Sequence, residues 1–176
     1  MEAAMWANLI ASFAFVISII SAWFTWKAAQ EAKIANRISV HNYQKNLYEA
    51  FFNAKNYLQT NGGRSEISGF SNLYMQIQTA RLYIDDALAD QLIGFYDACV
   101  SLSDLRVALA AAERYRVMLE SHRLVGGELV MVDHYLVENA NKKQEACMLD
   151  LDKAVDEALN KAALIDKVFV GKIRLS

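Results

Sequence analysis

The sequence predicts an all-α fold: a single N-terminal transmembrane helix that continues into an elongated cytoplasmic helical bundle. Three observations lead there. Residues 3–26 carry no charge between Glu2 and Lys27, and as a helix they extend to roughly 36 Å against a hydrocarbon core of about 30 Å. The 176 residues contain no proline, where average usage places roughly nine. Only seven glycines are present, few enough to leave long uninterrupted helical runs.

The first element is the span itself. Trp6 stands near one end and Trp23, Phe24 and Trp26 near the other, where amphipathic rings favour the headgroup region. A secretory signal peptide needs a basic start and a shorter apolar run, whereas the first charge here is Glu2. Lys27, Lys33, Arg37 and Lys45 follow the span, with only Glu2 and the terminal amine on the other side. The excess of cations marks the cytoplasmic side. The expectation is an inner-membrane protein with its N-terminus outside and the bulk of the chain cytoplasmic.

No stop signal follows the span until Asn61, Gly62 and Gly63, so the helix is expected to run on to about Gln59. Along it, Ala7, Ala11, Ala14, Ser18, Ser21, Thr25, Ala28, Ala32, Ala35, Ser39, Asn42 and Asn46 recur four and three apart. Such a repeat marks the seam of a left-handed helix pairing, and small residues let backbones approach in lipid. Ala11, Ala14, Ser18, Ser21, Thr25 and Ala28 are the candidate seam of a parallel homo-oligomer. A second stripe of Ile34, Ile38, Leu47, Phe51, Ala54 and Leu58 is expected to face the core of the cytoplasmic domain.

Residues 64–70 read as a polar loop, and Ser71 as an N-cap for a helix whose Leu73, Ile77, Ala80 and Ile84 form one face. Asp85 and Asp86 supply a new helix start, followed by Leu88, Leu92, Phe95, Cys99, Leu102 and Leu109 at helical spacing. Gly126 and Gly127 admit either a hairpin turn or a break between helices, and the helix-forming flanks favour the break. A last helix is expected from about Glu128, with Met148, Leu151, Val155, Ala158, Ala162, Ile165 and Phe169 in heptad register and Gly171 as its stop. The organisation expected is an anchor (1–26), a cytoplasmic extension of the anchor helix (27–60) and a helical bundle domain (61–176).

Composition narrows the partners. A net charge of -2 and 55% hydrophobic residues exclude a disordered tail and give no basic excess for duplex nucleic acid. Cys99 and Cys147 stand far apart with no CxxC, as reduced core residues do. No catalytic motif of a hydrolase, kinase or dinucleotide enzyme is present. His122 and His134 flank the glycine pair with Asp133 beside the second, short of the four ligands of a structural metal site. No enzyme, cofactor or metal is predicted.

The one basic cluster with an aromatic is Arg114, Tyr115 and Arg116, with His122 and Arg123 just beyond. Guanidiniums grip phosphates and a tyrosine stacks on a base, so these five are the candidate binding residues for an anionic small molecule or a cyclic nucleotide. Cations at a helix end also complement its dipole without any ligand. Two functions are open. The chain is either an anchored, oligomerising helical domain that docks a partner protein, or a ligand-gated membrane effector. The second layout, a compact cytoplasmic sensor on one oligomerising span, resembles that of bacterial antiviral membrane effectors responding to cyclic oligonucleotides made by type III CRISPR complexes. That resemblance covers layout only and assigns no binding residue.

Overall fold

The computed structural model describes residues 2–121 and 134–173. It contains α1 (Glu2–Asn61), α2 (Ser71–Ile77), α3 (Asp86–Ser121) and α4 (His134–Ile173), with short 3-10 turns at Gly62–Arg64, Ile67–Phe70 and Ala80–Leu82. Among the described residues there is no strand, and the fold is all-α as the sequence predicts. The choice between hairpin and break at Gly126 and Gly127 falls outside the described residues. The chain forms two compact units, Met1–Tyr43 and Gln44–Ser176.

The first unit is helix alone. From Met5 to Ser39 every described side chain is exposed, including Ile34 (58%) and Ile38 (55%). The apolar stripe expected to run from Ile34 to Leu58 is therefore buried only from Leu47 onward. Two reasons combine: no second element packs within the first unit, and the nine residues from Ile38 to Leu47 turn the helix by about 180°, which breaks the stripe.

In the second unit, residues 44–61 of α1 pack with α3 and α4. Leu47, Phe51, Ala54 and Leu58 are buried along one face of α1, a spacing of four, three and four that keeps them in line. Phe51 meets Phe95 of α3 edge-on at 5.5 Å and stacks on Phe169 of α4 at 5.8 Å. Tyr48 adds an edge contact to Phe169 at 5.1 Å, and Lys55 forms an ion pair with Asp166. Leu151 lies beside Gly63. As the chain advances from 48 in α1 to 63 just beyond it, its α4 partners recede from 169 to 151, so α4 runs antiparallel to this part of α1.

Both long helices of this unit follow the apolar pattern with one shift. On α3, Leu88, Leu92, Phe95, Cys99 and Leu102 are buried as expected, and Ala112 continues the buried face; Leu109 is half-buried. On α4, Leu151, Ala158, Ala162, Ile165 and Phe169 are buried, but Met148 is 50% exposed. The face instead continues backward through half-buried Cys147 and Gln144 to buried Ala140, again four, three and four apart. Gly171 does not end the helix, which runs on to Ile173.

The connection from α1 to α3 shows where turn chemistry decides. Gly62 adopts φ +51, the left-handed conformation that glycine adopts without a steric penalty, and the Asn61 amide donates to the Tyr57 carbonyl at 2.9 Å. α1 stops there. Gly69 lies against the Tyr57 ring, where a Cβ would overlap it. The same ring is edge-on to Phe70 at 5.4 Å, and its hydroxyl accepts the Glu66 amide at 3.1 Å.

Ser71 is not a cap: it stands inside α2 and its hydroxyl donates back to the Ser68 carbonyl at 2.8 Å. The helix expected through Ile84 is shorter, closing into the Ala80–Leu82 turn. The Gln44 amide reaches across from α1 and donates to the Tyr83 carbonyl at 3.0 Å. Leu73, Ile77 and Ala80 are nevertheless buried. Asp85 does cap, accepting the Leu88 amide at 2.8 Å in the geometry that satisfies a free N–H of the first turn.

Candidate functional site

Two features of the sequence invite a function: the apolar length of α1 and the cations of α3. On α1, none of the apolar segment is buried. Its side chains project in every direction, with Ile10 65% and Ile17 61% exposed among them. An all-round apolar helix is stable only when something apolar surrounds it. The seam residues Ala11, Ala14, Ser18, Ser21, Thr25 and Ala28 are all exposed on it. The hydroxyl of Ser18 donates to the Ala14 carbonyl and that of Thr25 to the Ser21 carbonyl, both at 2.8 Å. These donors are satisfied within the helix, as a hydroxyl in hydrocarbon requires; only their lone pairs face outward.

One polar feature of this helix escaped the sequence reading. Asn8 and Ser12 floor a groove walled by Met5, Leu9, Phe13 and Val16, with the Ser12 hydroxyl donating to the Asn8 carbonyl at 2.9 Å. It lies on the other side of the helix from the small-residue seam. A lone amide inside an apolar run is its signal, because asparagine in lipid seeks a hydrogen-bonding partner.

The cations of α3 do not converge. Arg114, Tyr115 and Arg116 are consecutive, so Arg114 and Arg116 are turned about 200° from one another around the axis. Arg114 and Tyr115 are exposed. Arg116 follows Ala112 on the inner face and is half-buried; its guanidinium stands 3.8 Å from Glu120, and its buried Nε has no hydrogen-bond partner among the described residues. His122 and Arg123 lie outside the described residues. His134, first residue of α4, is exposed. Among the described residues no three His, Cys, Asp or Glu side chains gather as a metal site does.

Among the described residues of the second unit, two concavities stand out, and neither is lined by Arg114, Tyr115 or Arg116. One, about 220 Å³, lies among Tyr74, Ile77, Arg81, Tyr96 and Asp97, with Arg81 already paired to Asp90 at 2.6 Å. The other, about 380 Å³, is an apolar trough along Ile67, Val107 and Ala110, edged by the Arg106 to Glu66 ion pair at 3.0 Å. Binding pockets for small molecules usually have about 300–1,000 Å³ and several convergent polar groups. The first concavity is too small, and the second has its two charged groups engaged with each other.

Cys99 is buried on the inner face of α3, and burial pushes its thiol up to about 12, with Lys161 pulling weakly the other way. Such a thiol packs; it does not react at neutral pH. Between pH 9 and 12 the unfolded chain loses this proton while the folded chain keeps it. The stabilisation is complete below pH 9 and declines above it, by about 1.4 kcal/mol per pH unit. Urea midpoints of wild type should therefore fall from pH 9 to 10 relative to those of Cys99→Ala. Parallel midpoints would show that burial does not hold the proton.

Fold and surface together define a class: an all-α protein with one N-terminal helix long and apolar enough to cross a membrane. Comparison with family models, with curated proteins and with solved structures returned no match.

Proposed function

We propose that the chain is a single-pass inner-membrane protein, N-terminus outside and C-terminus in the cytoplasm, whose cytoplasmic helical bundle oligomerises and docks a partner protein. It acts by binding and not by catalysis. The observation that carries this is the unburied apolar segment of α1, a surface that water does not tolerate and a bilayer matches in length. The orientation rests on Lys27, Lys33 and Arg37 following the span, with Glu2 preceding it.

Docking rather than ligand sensing is favoured by what α3 and α4 expose. Val107, Ala111 and Met118 fall on one outward face of α3 with Arg114 among them, and Tyr135 and Leu149 are exposed on α4. An antiviral effector gated by a cyclic nucleotide needs cations converging on one anion, and Arg114 and Arg116 are turned apart. The test is thiol labelling of intact spheroplasts with a membrane-impermeant reagent. A Met5→Cys variant should label from outside, while Cys147 should label only after lysis. Labelling of Cys147 in intact spheroplasts would reverse the orientation, and recovery of the protein in the soluble fraction would end the membrane reading.

A further inference from the structure

We propose that the face of α1 bearing Trp26, Gln30, Lys33 and Arg37 binds the headgroups of anionic phospholipids; this rests on the membrane reading above. The four residues are spaced four, three and four apart, so they fall within about 60° of arc on one side of the helix. Trp23 and Lys27 border them. All six side chains are exposed. None of the ion pairs among the described residues engages Lys27, Lys33 or Arg37. The one nearby acid, Glu31, is turned about 100° or more from Lys33 and Arg37, leaving that face with cations, an amide donor and an indole and no carboxylate.

Direction adds to charge. Side chains on a helix lean toward its N-terminus, and here the N-terminal direction is the span. Lys27 shows the lean directly: its ammonium lies 5.7 Å from the centre of the Trp23 ring, one turn back, within cation–π reach. Lys33 starts about 10 Å and Arg37 about 16 Å beyond Trp26. The polar layer adds about 5–8 Å on each side of the hydrocarbon. Leaning back, the Lys33 ammonium meets that layer, and the Arg37 guanidinium comes within about a Debye length of it. The partner that matches cations over an interfacial tryptophan is a phosphodiester headgroup with net negative charge. A zwitterionic headgroup offers the phosphate together with its own compensating cation.

The test is native mass spectrometry of the full chain reconstituted into nanodiscs of equimolar phosphatidylcholine and phosphatidylglycerol, counting the lipids retained. Each basic side chain near an anionic surface favours it about fivefold. Wild type should therefore retain phosphatidylglycerol in excess, and Lys33→Gln/Arg37→Gln should lower that ratio by roughly 25-fold. Lys142→Gln/Lys143→Gln removes the same charge from α4 and should leave the ratio unchanged. Equal retention of the two lipids by wild type overturns the proposal. So does enrichment that survives in the Lys33/Arg37 variant, or that is lost equally in the Lys142/Lys143 variant, which would make it an effect of net charge. A wild-type chain that does not enter nanodiscs at all overturns the membrane reading together with this one.

Discussion

Phe51→Ala should cost the second unit about 3–5 kcal/mol, the range for removing a buried aromatic ring from a core. Against a typical domain stability of about 5–15 kcal/mol, that is about a fifth of the total or more. The ring is fully buried and joins three helices: α1 carries it, Phe95 of α3 meets its edge and Phe169 of α4 its face. Its removal leaves a cavity where all three helices meet. Urea unfolding of the detergent-solubilised protein, followed by circular dichroism, should show the midpoint lowered steeply, with Phe51→Leu recovering part of the loss. Ile34→Ala is the companion measurement. Ile34 is an apolar residue of the same helix but is exposed, so its truncation should change stability by less than about 0.5 kcal/mol. Equal losses at the two positions would mean that the first unit is covered in solution.

Val16→Arg should release the chain from membranes. Nine Leu, Ile, Val and Phe residues in 3–26 together favour insertion by about 3–5 kcal/mol on a translocon scale, and one arginine near the centre opposes it by about 2.5–3.5 kcal/mol. The serines and Asn8 have already used part of the margin. The inserted-to-released equilibrium should shift about a hundredfold. Val16 is exposed on a side of the helix away from the small-residue seam, so the substitution tests lipid contact and not helix pairing. Carbonate-washed membranes should retain wild type and Val16→Leu and lose Val16→Arg to the supernatant or to aggregates. Retention of Val16→Arg at the wild-type level would show that the segment meets something other than hydrocarbon.

The candidate binding cluster illustrates a limit of reading residues by proximity in sequence. Arg114, Tyr115 and Arg116 look like one basic patch in the sequence, but adjacency on a helix disperses side chains and spacing of three or four gathers them. That rule places Arg116 on the inner face behind Ala112, with a buried Nε that lacks a partner among the described residues. The same rule assembles Trp26, Gln30, Lys33 and Arg37, which the sequence shows as scattered. Counting by turns and not by neighbours makes the second group legible without any coordinates.

What the sequence by itself determined is the local part of the fold. The absence of proline, the uncharged run of 3–26, the halt at Asn61 and Gly62 and the start at Asp85 are each short-range, because helix propensity, capping and left-handed backbone depend on a residue and its immediate neighbours. What only the tertiary structure decided is which parts of a periodic stripe find a partner. Ile34 and Leu47 are both apolar positions of α1, yet the first is exposed and the second buried. Met148 fits the heptad but yields its place to Cys147, and Gly171 fails to stop α4. The helix expected through Ile84 closes early into a turn whose Tyr83 carbonyl is held by Gln44. Burial is a property of two surfaces meeting, and a sequence pattern describes only one of them.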